Sequence, residues 1–265
     1  MNLLLVQAIE NQGYDGWGTE TGYGQVIDVN ANSPIYPSIY SDVLLLIPTL
    51  NEEEAIQQLV QEARASGFTD ILIVDGFSVD RTREFAVSMG VRVLLQDFGK
   101  GKGCGVRTGM RLFLEGKSEF LAIIDGDATN VPADLVGMVS IVRSGRADVV
   151  LGSRTRGNRE KGAMPALSVA SNLTVSFLLG AKFRRLFTDV QTGYWLFTRE
   201  AVSRIYPKIQ SKGFEIELEL FVMILKEKLR VVETPVGFRA RKGKSKFSFM
   251  LRMRNLHYAF KYLAS

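Results

Sequence analysis

From Asp42 onward, short apolar runs alternate with stretches of helical period. Val43–Ile47, Ile71–Val74, Val91–Leu95, Phe120–Ile124 and Val149–Leu151 are the apolar runs. Between them, Glu52–Ser66, Arg81–Met89, a stretch ending near Glu115, and Ala133–Arg143 place apolar residues three and four apart, the spacing of one helix face. A strand buried on both sides shows no polar alternation, and a parallel crossover is usually a helix. The pattern therefore predicts an α/β fold: a Rossmann-like, mostly parallel central sheet with helices on both faces. Beyond Arg154 the alternation stops. A helix is expected over 165–180, a strand over 193–198, a helix over 214–228 and a strand over 230–238, with amphipathic helices toward the C-terminus. Residues 1–41 contain Gly13, Gly16, Gly18, Gly22 and Gly24 and no sustained period, which reads as an irregular extension. The expected organisation is an extension over 1–41, one domain over 42–248 and a basic amphipathic helix over 249–265.

Composition narrows the chemistry. One cysteine, Cys104, excludes an internal disulfide framework and a multi-Cys zinc site, and one histidine, His257, excludes a His cluster. A bound metal would have to be held by carboxylates, which suits a hard ion such as Mg²⁺ or Mn²⁺. The chain carries 33 Lys and Arg against 28 Asp and Glu, but eight of those bases and no acid lie between Thr234 and Ser265. A basic tail on an otherwise slightly acidic chain suggests phosphates, on a nucleotide or on a lipid surface; a solvated helix face is the plainer reading. The uncharged stretch 162–181 is long enough to span a bilayer, but Ser168, Ser171, Asn172, Thr174 and Ser176 make it too polar. It reads as an interfacial amphipathic helix or a packed core helix. The N-terminus lacks a basic segment ahead of its apolar run, so no signal peptide is expected. The expected location is cytoplasmic, peripheral on the inner face of the membrane.

Three acidic clusters follow predicted strands: Asn51-Glu52-Glu53, Asp75 to Asp80, and Asp125-Gly126-Asp127. Each alone reads as a helix cap. Three at successive strand ends, where open α/β sheets bind ligands, point to a site. The Asp125–Asp127 pair can reach one hard cation whose shell substrate phosphates would complete. The run Gly99-Lys100-Gly101-Lys102-Gly103-Cys104-Gly105 matches neither common phosphate-loop pattern, yet it is basic and opens a helix. It reads equally as an anion site or as a plain turn.

These motifs, in order, resemble the signatures of family 2 glycosyltransferases: Ile47 to Glu52, Val74 to Thr82, and Asp125 to Ala128. The resemblance continues through Gly152-Ser153-Arg154, Thr188 to Tyr194, Gly213 to Glu217 and Gly243-Lys244-Ser245-Lys246, which is similar to the polyprenyl-phosphate branch and most like its archaeal N-glycosylation members. It implies the GT-A fold. It also implies an inverting transfer of a hexose from a UDP- or GDP-sugar to dolichyl or another polyprenyl phosphate, dependent on Mg²⁺ or Mn²⁺, with peripheral membrane contact. By resemblance, Pro48, Asn51 and Glu53 line the base and ribose pocket, Asp75 bonds the base, and Lys102 lies near the nucleotide. Asp125 and Asp127 hold the metal, Arg154 receives the acceptor phosphate, and Asp189 and Gln191 border the sugar. Arg241, Ser245 and Lys246 close over the phosphates. Asp127, Asp189 and Arg154 are the implied catalytic set. Two departures stand out: Asp75-Gly76-Phe77-Ser78 replaces the Asp-Asp-x-Ser of many relatives, and Pro165–Asn172 carries no arginine.

A lipid phosphate is mostly dianionic at pH 7, with a second pKa of about 6, and needs no strong general base. An alcohol acceptor would need one, and Asp189 is the candidate. The rival readings are a soluble family 2 transferase acting on a hydroxyl, a sugar nucleotidyltransferase, and a non-catalytic nucleotide-sugar or nucleic-acid binding module. Nucleic acid is not the expected partner, because such binding has no use for a carboxylate pair.

Overall fold

The computed structural model describes residues 37–242 and 249–264. Ser245 and Lys246, most of the predicted N-terminal extension, and the side chains of residues 249–253 and 263–264 lie outside what it describes. Seven strands form one sheet: β1 Val43–Thr49, β2 Ile71–Asp75, β3 Arg92–Leu95, β4 Phe120–Ile123, β5 Val149–Ser153, β6 Trp195–Thr198 and β7 Val231–Pro235. The described helices are α1 Ile56–Ala65, α2 Thr82–Ser88, α3 Lys102–Glu115, α4 Leu135–Arg143, α5 Ala166–Lys182, α6 Arg199–Ile205, α7 Ile216–Lys226 and α8 Phe249–Ala264.

The strand order is β3-β2-β1-β4-β6-β5-β7. All pairings are parallel except those of β6, which runs antiparallel between β4 and β5. Alternation along β1 explains the two layers. Val43, Leu45 and Ile47 pack on one face with Ile56, Leu59 and Val60 of α1 and with α2 and α4. Leu44 and Leu46 pack on the other with Val106, Met110 and Phe113 of α3 and with α5 to α8. Both faces of β1 are therefore buried, which is why its sequence lacks a polar alternation.

Each predicted strand and helix has a counterpart, with ends shifted by a few residues. Helix α6 is not among the expected elements. It begins directly at the end of β6, where the Thr198 hydroxyl accepts from Ala201 N at 3.2 Å. No loop separates strand from helix, so the change of period falls within one apolar stretch. Among the described residues, no helix is long and apolar enough to cross a membrane.

Candidate active site

The order β2-β1-β4 puts the three acidic clusters on neighbouring strands at one sheet edge. Asn51, Phe77 and Ala128, one in each of the three loops, have left-handed φ values of 49°, 69° and 56°. Such backbone costs free energy in non-glycine residues and persists only where surroundings enforce it. Here the first two loops are stitched together. Asn51 N donates to Ser78 Oγ at 2.8 Å, and Val79 N donates to Asn51 Oδ1 at 2.8 Å. Arg81 N donates to Glu53 Oε2 at 3.0 Å, and Glu53 N donates to Asp80 Oδ2 at 3.2 Å. Asp75 is fully buried and accepts from Ser78 N at 2.9 Å and Ser78 Oγ at 2.5 Å.

Above this edge lies a cavity of about 540 Å³, bounded also by α5, α7 and α8. Its charged groups are paired. Lys102 Nζ stands 2.5 Å from Asp125 Oδ1 and 2.5 Å from Glu217 Oε1. Arg241 bridges Asp127 Oδ2 and Glu52 Oε1, each at 2.5 Å. Asp127 Oδ1 accepts from Thr129 N at 3.1 Å and Thr129 Oγ1 at 2.6 Å, which orients the carboxylate. Burial disfavours the Lys102 ammonium, but the Asp125 and Glu217 carboxylates outweigh it and raise its pKa. Burial works against the Asp125 anion too, yet Lys102, with Arg154 and Arg241 adding, holds its carboxyl below the usual range. Glu217 goes the other way: burial pushes it up, and neighbouring Asp125 adds to the rise against the pull of Lys102. Gly193 backs this cluster. A Cβ built there would lie 2.3 Å from Asp125 Oδ2, so the carboxylate occupies space that any side chain would fill.

Arg154 reaches the cavity from the loop after β5 and is fixed from behind. Its Nε and Nη2 donate to the two oxygens of Asp189, each at 2.7 Å, and Nη2 also donates to Gln191 O at 2.9 Å. Asp189 has no exposed surface; it further accepts from Arg154 N and from Asn172 Nδ2, each at 2.8 Å. Glu233 Oε1 in turn accepts from Asp189 N at 2.9 Å and Thr188 N at 2.9 Å, holding the backbone of that loop. Burial lowers the pKa of Arg154, but the Asp189 carboxylate more than restores it.

The glycine run packs against protein. Gly103 N donates to Gly213 O at 3.1 Å and Cys104 N to Lys212 O at 3.2 Å. Cβ atoms at Gly101 and Gly103 would lie 2.3 Å and 2.4 Å from the carbonyl oxygens of Lys212 and Ser211. The glycines thus let the start of α3 approach another backbone segment, and these amides are not available to an anion. At Gly103 and Cys104 the run therefore serves packing, and it lines the cavity through Gly101 and Lys102.

The family model for glycosyl transferase family 2 matches residues 45–206, which hold most of the sheet and Lys102, Asp125, Asp127, Arg154 and Asp189.

The chain belongs to glycosyl transferase family 2.

Glycosyltransferase AglJ of Haloferax volcanii is 34% identical over 203 residues, covering 75% of this chain and 63% of AglJ. The undecaprenyl-phosphate mannosyltransferase of Micrococcus luteus is 30% identical over 218 residues, covering 78% of this chain and 87% of that protein. Among solved structures, glucosyl-3-phosphoglycerate synthase of Mycobacterium tuberculosis, crystallised with Mn²⁺, UDP and its product, superposes with a TM-score of 0.66. That match covers 84% of this chain and 80% of the other at 17% identity, and it shows the shared GT-A fold.

Of the residues singled out in the sequence, Pro48, Lys102, Asp125, Asp127, Arg154, Gln191 and Arg241 line the cavity of this family 2 enzyme. Asn51, Glu53, Asp75 and Asp189 do not. The first three spend their side chains on loop stitching, and Asp189 is sealed behind Arg154. Sequence reading quoted Glu52, Phe214 and Glu217 within motifs but gave them no role, and it missed Gln96, Asn172 and Asn255 as site residues; all six are on the lining. Glu217 carried a signal: Glu217 and Glu219 interrupt the apolar start of α7, Glu215 immediately precedes it, and all three are buried. Among the described residues, no group of three or more His, Cys, Asp and Glu is gathered to hold a metal. The aspartate pair nonetheless fits a hard cation. Asp125 Oδ1 is buried with no well-formed hydrogen bond and faces the Lys102 ammonium, and Asp127 Oδ2 faces the Arg241 guanidinium. One or two carboxylates completed by phosphate oxygens are the ordinary complement for Mg²⁺.

Proposed function

We propose that this enzyme transfers a hexose, with inversion, from a UDP- or GDP-linked donor to a polyprenyl phosphate of the dolichyl type, feeding glycan assembly. One observation carries the acceptor class. Asp189, the carboxylate an alcohol acceptor would need as base, is wholly enclosed by Arg154 and Asn172. The carboxylates on the lining, Glu52, Asp125, Asp127 and Glu217, are each paired with Lys102 or Arg241. A cavity without an available base suits a nucleophile that brings its own negative charge. The named activity of the Micrococcus luteus relative, undecaprenyl-phosphate mannosyl transfer, agrees with this reading.

In this reading Asp125 and Asp127 hold Mg²⁺ or Mn²⁺. When bound, the ion neutralises charge on the donor diphosphate. Lys102 and Arg241 supply further positive charge where the leaving diphosphate develops its negative charge. Arg241 Nε, buried and without a hydrogen-bond partner among the described residues, is the donor this guanidinium has left for a phosphate oxygen. The Arg154 guanidinium takes the acceptor phosphate while Asp189 keeps its plane fixed, which orients the nucleophile. Asp189 is then a positioning residue. Pro48, Glu52, Gly76 and Gln96 line the end of the cavity nearest β1 and β2, suited to the base and ribose.

The lipid tail has a place to go. Leu167, Leu173 and Phe177 are exposed along α5, the helix whose other side faces the cavity, and Leu186 beyond it is 86% exposed. Lys182, Arg184 and Arg185 stand beside them, exposed. Apolar groups flanked by bases form an interfacial surface, which supports peripheral attachment to an anionic cytoplasmic leaflet.

The test mixes the enzyme with Mg²⁺ or Mn²⁺, radiolabelled UDP- and GDP-hexoses, and dolichyl phosphate in detergent. Label entering the organic phase from one donor, and lost in Asp127→Ala, supports the proposal. Transfer only to a soluble hydroxyl acceptor refutes it.

A further inference from the structure

The cavity has two chemically different walls. The one described above is ionic. The other is built from α5 and α8, which pack on each other, and it is uncharged. Ser168, Ser171 and Asn172 of α5 and Asn255 of α8 face the cavity there. The two asparagines are unusual. They are 1% and 3% exposed, and the Oδ1 of each is buried without a hydrogen-bond partner among the described residues. Buried polar atoms are nearly always satisfied, so an unsatisfied pair on a cavity wall marks groups waiting for a ligand.

The orientation of Asn172 follows from its surroundings. Its Nδ2 donates to Asp189 Oδ1 at 2.8 Å, so Nδ2 points at the carboxylate and Oδ1 is the atom turned away. An amide oxygen only accepts. An ionised phosphate oxygen also only accepts and cannot satisfy it, and a metal would find richer donors at the aspartates. A neutral hydroxyl is the complementary group.

We propose that Asn172 and Asn255 form a subsite that reads hydroxyl groups of the transferred hexose, and that Asn255 gives the C-terminal helix a part in choosing the sugar. This rests on the sugar-transfer reading of the cavity. The placement is consistent with it. Asn172 is bonded to the aspartate that fixes Arg154, so the uncharged wall adjoins the point where a sugar would meet the acceptor. A site that hydrogen-bonds a substrate hydroxyl rejects the analogue lacking it, because its own buried polar atom is then left unpaired.

The experiment uses the full chain and Asn255→Ala, with Asn255→Asp as the variant that retains an acceptor oxygen. UDP, GDP, UDP-glucose, UDP-N-acetylglucosamine and GDP-mannose are titrated calorimetrically in Mn²⁺, followed by the monodeoxy analogues of the sugar nucleotide that binds. The wild type is expected to bind one monodeoxy donor roughly 10- to 100-fold more weakly than the parent. Asn255→Ala should lose a similar factor on the parent and nothing further on that analogue, with affinity for the bare nucleotide diphosphate kept. Asn255→Asp should recover part of the discrimination. Equal losses for nucleotide and sugar nucleotide, or intact discrimination against every analogue in Asn255→Ala, would overturn the proposal, as would failure of every sugar nucleotide to bind. If the wild type discriminates and Asn255→Ala does not, yet no sugar moves onto dolichyl phosphate, the subsite stands and the acceptor reading falls.

Discussion

Gly193→Ala isolates the contact that shapes the aspartate pair. The new Cβ would lie 2.3 Å from Asp125 Oδ2, 2.5 Å from Oδ1 and 2.6 Å from Cγ, so the whole carboxylate must move. Moving it breaks the 2.5 Å pairing with Lys102. Gly193 does not have a positive φ, so the substitution adds no backbone strain of its own. Overpacking costs about 1–3 kcal/mol, and the stiffer unfolded chain returns about 0.4–1 kcal/mol. The net loss lies between about 0 and 2.6 kcal/mol, which for a chain of this size lowers Tm by up to roughly 10 °C. Activity should suffer more than stability, because displacing a reacting group by an ångström can cost about 100-fold. Thermal unfolding with and without Mn²⁺ and nucleotide, beside the transfer assay, measures both. Wild-type Tm, wild-type stabilisation by Mn²⁺ and transfer within two-fold of wild type would refute the argument that Gly193 is there to admit Asp125.

Three other outcomes follow from the same structure. Asp189→Ala leaves the enclosed Arg154 cation without its partner and should destabilise by about 3–5 kcal/mol; a loss below about 1 kcal/mol in urea unfolding would contradict the network. Gly137 lies inside α4, and a Cβ placed there meets nothing within 4 Å, so Gly137→Ala should raise stability by about 0.5–1 kcal/mol; a lower Tm would show that the helix is packed against something there. Leu167→Ser with Phe177→Ser should weaken sedimentation with anionic vesicles by roughly ten-fold or more, since each apolar side chain contributes about 1.5–3 kcal/mol when fully buried, while transfer in detergent falls much less; unchanged sedimentation would remove α5 from the membrane contact.

The sheet was readable because β1, β2 and β4 are buried on both faces and show as unbroken apolar runs. The helices on the first half of the sheet were readable for the complementary reason, a single buried face such as Ile56, Leu59, Val60 and Ala63 of α1. The position of β6, antiparallel between β4 and β5, was not, because strand order depends on pairings distant in sequence. At the site, the motifs located Asp125, Asp127 and Arg154 but offered no way to tell a group facing the cavity from one holding a loop. Asn51, Glu53 and Asp75 belong to the second kind, and only the stitching of the loops after β1 and β2 reveals it. Asn172 and Asn255 carry no local signal at all. They come together because α5 and α8 pack across a gap of about eighty residues of sequence.

The central claim is that the acceptor supplies its own negative charge because the cavity supplies no base. The most direct measurement compares polyprenyl phosphate with the corresponding polyprenol in detergent, at pH 7, with the same sugar nucleotide and Mn²⁺. The expected result is a sugar-phosphate-prenol product, identified by mass spectrometry, from the phosphate and no glycoside from the alcohol. Comparable transfer to the free polyprenol would contradict it, since that requires a base where the structure has Asp189 sealed behind Arg154.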